Sequence, residues 1–131
     1  MTADEAAQEG NVITGTFSVL SYPVRVLFDS GASCSFISIS YAQSIGLSTV
    51  VPISVDVALP SGSIMHCSSL LVDVPIRIEG MDFPAYLVCF PLSEFDVILG
   101  MDWLKCYKAN LDCNDEKVHL RAPDGSRISY R

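Results

Sequence analysis

The chain has 131 residues, half of them apolar, and carries a formal charge of −7 from 15 acidic and 8 basic side chains. That is the length of one domain, large enough for its own core and too apolar for disorder over most of its course. Lys and Arg (Arg25, Arg77, Lys105, Lys108, Lys117, Arg121, Arg127, Arg131) are scattered along the sequence, which argues against a nucleic-acid surface, and no stretch is long enough to cross a bilayer.

Met1 to Gly10 places Asp4, Glu5 and Glu9 among alanines and reads as a flexible lead-in, with neither the basic nor the apolar region of a signal peptide. Residues 11–131 then form a single domain. Asn11 to Leu20 and Tyr22 to Phe28 are rich in Val, Ile, Thr and Phe and suit a hairpin broken at Ser21. Ser38 to Ile45, bounded by Gly46, suits a short helical turn.

Pro52 to Leu59 alternates Ile53, Val55 and Val57 with Ser54, Asp56 and Ala58, and Ile64 to Val72 resumes the pattern after Pro60-Ser61-Gly62-Ser63. This predicts a hairpin with its tip near Ser61 to Ser63. A second hairpin joins Pro75 to Ile78 with Phe83 to Phe90 through Glu79-Gly80-Met81-Asp82, with Pro84 at an edge or a strand start.

Phe95 to Gly100 is a further strand. Met101 to Lys108 follows as the best helix, turning Trp103, Leu104 and Tyr107 toward the sheet. Asn110 to Cys113, Lys117 to Leu120 and Arg127 to Tyr130 complete an all-β domain with one short helix near its C-terminal end. A weak internal echo relates the hairpin and strand ending at Phe28-Asp29-Ser30-Gly31 to the hairpin and strand ending at Leu99-Gly100.

Cys34, Cys67, Cys89, Cys106 and Cys113 are odd in number and lack a Cys-x-x-Cys pair, and His66 and His119 do not complete a ligand set. The expectation is no metal, no cofactor, and thiols that fill space in a reducing compartment.

Val26-Leu27-Phe28-Asp29-Ser30-Gly31-Ala32-Ser33-Cys34 carries the chemistry: a carboxylate ends an apolar run and a hydroxyl and a glycine follow it. Burying an unpaired carboxylate is costly, so such a placement points to a use for its proton. An Asp-Ser-Gly turn is also an ordinary way to end a strand. A serine triad lacks its Gly-x-Ser-x-Gly elbow, and Cys34 has no neighbouring base in sequence. Asp96 is the most tempting second acid, although the echo aligns Gly100 rather than Asp96 with the Asp29 turn.

Three segments in order resemble the retropepsin-like aspartic proteases, in particular the protease domain of Ty3/gypsy-type long-terminal-repeat retrotransposons. They are Val26 to Ser33 with Phe36-Ile37-Ser38, the hairpin around Leu59-Pro60-Ser61-Gly62, and Tyr86-Leu87-Val88 followed by Phe95-Asp96-Val97-Ile98-Leu99-Gly100-Met101-Asp102-Trp103-Leu104. The resemblance implies a closed β barrel with a flap hairpin that works as a homodimer. Asp29 of each copy supplies one catalytic carboxyl, Ser30 links the two active loops, and Gly31 leaves room for substrate backbone.

It further implies that the flap tip (Leu59, Ser61, Gly62, Ser63, Ile64) and Phe28, Ala32 and Ile98 contact an extended peptide. The substrate class is a Gag-Pol-type polyprotein in the cytoplasm or within virus-like particles, with self and peptide as partners and neither nucleic acid nor membrane. Two departures stand out. Many viral relatives brace the site with an acid–arginine pair where this chain has Ser33 and Met101, and the chain runs on well past the helix. A non-cleaving dimerisation or peptide-binding module is the alternative that these departures leave open.

Overall fold

A computed structural model describes residues 12–47, 49–59, 61–112 and 114–130. The expected lead-in of Met1 to Gly10, Pro60 of the expected flap turn and Cys113 lie outside them. Strand β1 (Val12–Val19) turns into β2 (Tyr22–Asp29) through Leu20 and Ser21, whose φ values of 51° and 70° are the paired left-handed geometry of a two-residue hairpin turn. Strand β3 (Phe36–Ser38) leads into helix α1 (Ile39–Ser44), which the Ser38 hydroxyl caps by accepting from the Tyr41 N–H at 3.2 Å.

The expected hairpin follows as β4 (Val50–Ala58) and β5 (Ile64–Ile78), then β6 (Met81–Phe90). One expectation fails here. Ile64 to Val72 and Pro75 to Ile78 are not separate runs but one strand, because β5 passes through Asp73 as a bulge in which the register slips between Leu71 and Val74 and Asp73 takes φ 54°. A bulge bends a strand without ending it, so one 15-residue strand serves both hairpins. Pro84 sits opposite Pro75, where β3, which reaches only Val88 to Phe90, leaves β6 locally at an edge. Its missing N–H is therefore harmless there.

Strand β7 (Val97–Leu99) and helix α2 (Met101–Cys106) come next, then β8 (Asn110–Asp112), β9 (Lys117–Arg121) and β10 (Arg127–Tyr130). The large sheet runs β1-β2-β7-β3-β6-β5-β4, and β1 pairs with β5 through Ser18–Arg77 and Val19–Ile76. That last pairing closes the sheet into a barrel and leaves β4 outside the seam, so the β4–β5 hairpin projects from it. The remaining strands form a separate sheet, β10-β9-β8.

The core gathers around α2. The Trp103 ring lies 5.9 Å from Phe28, 5.9 Å from Phe83 and 4.9 Å from Tyr107, so the helix residues expected to face the sheet do so. Along β9, Val118 and Leu120 face this core while His119 and Arg121 face outward. Basic residues scattered in sequence therefore gather in space, with Lys117, Arg121 and Arg127 sharing the outer face of the terminal sheet.

Two tyrosines pin the helices to the sheet by donating to backbone carbonyls: Tyr41 to Pro23 at 2.9 Å, and Tyr107 to Pro84 at 2.5 Å. Burial pushes both phenols up to about 12 from 10.0, aided by Asp96 beside Tyr41 and by Cys106 and Asp73 near Tyr107. A folded-state pKa above the unfolded one gives stability that is complete below pH 10 and lost as pH rises toward 12. In an absorbance titration, two of the five tyrosines should ionise only as the fold opens. The Tyr41→Phe, Tyr107→Phe double variant should lose that alkaline stability step.

Candidate active site

Asp29 is the last residue of β2 and is 1% exposed. The strand alternates, so Asp29 shares its face with Leu27, while Phe28 points the other way. The Gly31 N–H donates to Asp29 Oδ1 at 2.9 Å, and the Ala32 N–H donates to the Asp29 carbonyl at 3.2 Å. The turn after the strand thereby orients its own carboxylate. Ser30 is half-buried and Gly31 exposed at this turn.

The loop after Asp29 is fixed by the segment that follows β7. Strands β2 and β7 run parallel with Phe28 beside Leu99, so Gly100 emerges next to the Asp29 turn. A Cβ on Gly100 would stand 2.3 Å from the Cys34 carbonyl oxygen and 2.7 Å from that of Ala32. No side chain fits there. The Met101 N–H donates to the Ala32 carbonyl at 2.7 Å and the Asp102 N–H to the Ser33 carbonyl at 3.3 Å.

Beneath the loop, Ser35 is 1% exposed. Its hydroxyl donates to Asp102 Oδ1 at 2.6 Å and accepts from the Gly100 N–H at 2.9 Å. The same Asp102 oxygen accepts from the Trp103 N–H at 2.7 Å. At the positions of Ser33 and Met101 this chain ties the loop through their backbone and through the buried Ser35 hydroxyl. The sequence reading missed Ser35, although a serine between Cys34 and the apolar start of β3 was the available clue.

Asp29, Ala32 and Ile98 come together on the wall of a small recess of ≈ 20 Å³ completed by Phe36, Val57, Phe90 and Leu92. Two expected wall residues are elsewhere. Phe28 is fully buried in the main core against Phe17 and Trp103, because it is one residue out of phase with Asp29. Ile64 pairs with Ala58 on the outer face of the hairpin and is 69% exposed, whereas Val57 and its partner Met65 take the inner face.

Leu59, Ser61, Gly62 and Ser63 form the hairpin tip and do not line the recess. There the Leu59 N–H donates to the Ser63 carbonyl at 2.8 Å, and Gly62 adopts φ 91°. Asp96, the tempting second acid, accepts from the Arg25 N–H at 2.8 Å and joins Arg25 and Ser38 through its backbone, so its work is structural.

Removing the tie has a calculable cost. Ser35→Ala strands the buried Gly100 N–H, which should cost about 1–3 kcal/mol in urea denaturation. Gly100→Ala drives a Cβ into backbone and should cost on the order of 4 kcal/mol or prevent folding.

The sequence of residues 1–126 matches the family model described as retroviral aspartyl protease. Over 102 residues the chain is 26% identical to DNA damage-inducible protein 1 of Yarrowia lipolytica, covering 76% of this chain and 25% of that protein. The chain thus spans about a quarter of that relative's length. Among solved structures, the fold is similar to the retroviral protease-like domain of Ddi1 from Leishmania major, with a TM-score of 0.66 at 19% identity over 92% of this chain and 91% of that one. It is also similar to a foamy viral protease-reverse transcriptase solved with an RNA/DNA hybrid, with a TM-score of 0.51 at 16% identity over 74% of this chain and 12% of that one. With a closed β barrel around one oriented, buried Asp-Ser-Gly carboxylate, the chain belongs to the retroviral aspartyl protease family.

Proposed function

We propose that the domain is an aspartic endopeptidase acting as a homodimer, with Asp29 of each copy meeting across a two-fold axis. The observation that carries this reading is the Asp29 carboxylate itself: buried beside an apolar recess, aimed by the Gly31 N–H, on a loop that Gly100 and Ser35 hold from behind. One chain brings one such carboxyl. Metal-free peptide hydrolysis by carboxyls needs a pair, and two-fold symmetry supplies the second without a second motif.

Two like charges about 3 Å apart cannot both ionise cheaply, so the pair holds one proton between them. The ionised carboxylate takes a proton from water as it attacks the amide carbon, and the protonated one donates to the carbonyl oxygen. The tetrahedral intermediate then collapses with proton transfer to the departing amine. The β4–β5 hairpin covers an extended peptide, and Val57, Phe36, Phe90, Leu92 and Ile98 offer an apolar wall. Apolar side chains beside the cut bond are therefore preferred, within the few kcal/mol that hydrophobic pockets discriminate. A retroelement polyprotein of the Ty3/gypsy type, met in the cytoplasm or in virus-like particles, is the substrate class that fits the sequence segments.

Asp29→Asn should abolish cleavage of an apolar-centred peptide by roughly 10²- to 10⁴-fold while leaving the urea midpoint close to wild type. Retained cleavage would overturn the assignment. The rate should be bell-shaped in pH and should fall faster than linearly on dilution as the dimer parts. A dimer that binds the peptide and never cuts it would support the alternative, a dimerisation or peptide-binding module.

A further inference from the structure

The outer face of the terminal sheet departs sharply from the rest of the molecule in charge. Register places Arg121 directly opposite Arg127, and His119 opposite Ser129 with Nδ1 to Oγ at 2.8 Å. Lys108, at φ 48°, closes one side of the same recess, which His119, Arg121, Arg127 and Ser129 line with it. Lys117 continues the face along β9. Half of the eight basic residues thus lie on one face of a chain of net charge −7.

The ion pairs His66–Asp56 and Arg77–Asp82 lie away from this face. Asp112 stands across from Lys117 and offsets part of its charge while accepting from the Asp115 N–H, whereas Arg121 and Arg127 face each other and not a carboxylate. Like charges directly opposite each other on antiparallel strands destabilise the sheet. A fold that keeps Arg121 and Arg127 so placed carries a cost that an anionic ligand removes.

We propose that this face is a docking site for an acidic, extended segment of a partner protein, separate from the Asp29 recess and independent of whether the domain cleaves peptides. The spacing fits. Residues two apart on a strand are about 6.8 Å apart and neighbouring strands about 4.8 Å, so carboxylates at alternate positions of an extended peptide repeat at the same interval as His119 and Arg121. Arginine forks engage carboxylates in two hydrogen bonds, which turns charge into orientation. A second copy is the wrong occupant, because a two-fold contact would press this positive patch against itself. Single-stranded nucleic acid is disfavoured because the outward residues (Asn110, Asp112, Lys117, His119, Arg121, Arg127, Ser129) include no aromatic ring for base stacking.

The test is calorimetric titration of the full chain with a synthetic peptide alternating glutamate and serine, beside its glutamine counterpart and an RNA oligonucleotide of equal charge. The glutamate peptide should bind at low salt and weaken by about tenfold or more near 0.3 M salt, as exposed charge pairs are screened. Arg121→Glu should lose at least about tenfold in affinity while raising the melting temperature slightly, because it sets opposite charges across from each other. That opposed pair of readouts separates a ligand site from a structural role. Arg77→Glu, the same charge change elsewhere, should leave binding unchanged. Equal binding of the glutamine peptide, equal or tighter binding of the RNA, or undiminished binding by Arg121→Glu would each overturn the proposal.

Discussion

The approach of Gly100 to the loop at 32–34 is the constraint on which the site rests. Two carbonyl oxygens stand where a Cβ would be, at 2.3 and 2.7 Å, so only glycine lets the end of β7 slide under the active loop. Once there, its own N–H would be buried and unsatisfied without the Ser35 hydroxyl. That hydroxyl passes the tie to Asp102, which in turn engages the start of α2. Loop, strand and helix are thereby coupled through one buried oxygen. A carboxylate held at 1% exposure needs such a scaffold, because a loose loop would let it turn to water.

The barrel closes without using the whole of β5. Closure through β1 and β5 uses only the far end of β5, leaving its first half to pair with β4 beyond the seam. The bulge at Asp73 lies between these two duties and bends the strand where the barrel ends and the hairpin begins. The loop after Asp29 is tied from behind by Gly100 and Ser35, while the β4–β5 hairpin stands beyond the seam.

Charge is distributed unevenly over the molecule. The walls around Asp29 are apolar, which strengthens any interaction its carboxyl makes. Lys117, Arg121 and Arg127 share the outer face of the terminal sheet, whose inner residues Val118 and Leu120 belong to the common core. That sheet therefore contributes to stability through one face and leaves the other available for recognition.

Much of this was legible in the residues. The strands, the helix with its Trp103, Leu104 and Tyr107 face, and the Asp29 turn follow from periodicity and turn chemistry, which act over a few neighbours. The errors were of phase and of continuity. Phe28 is expected on the cleft wall although alternation from Asp29 points to Leu27, and Ile64 to Val72 and Pro75 to Ile78 are expected as separate runs although a left-handed residue between them can bend a continuous strand. Local sequence dictated the strand pattern and the exposed chemistry of Asp-Ser-Gly. Only tertiary pairing decided that Gly100 lies under that turn, that Ser35 meets Asp102 across 67 residues, and that Arg121 faces Arg127, because contacts between distant segments depend on strand order and register, which no local window contains.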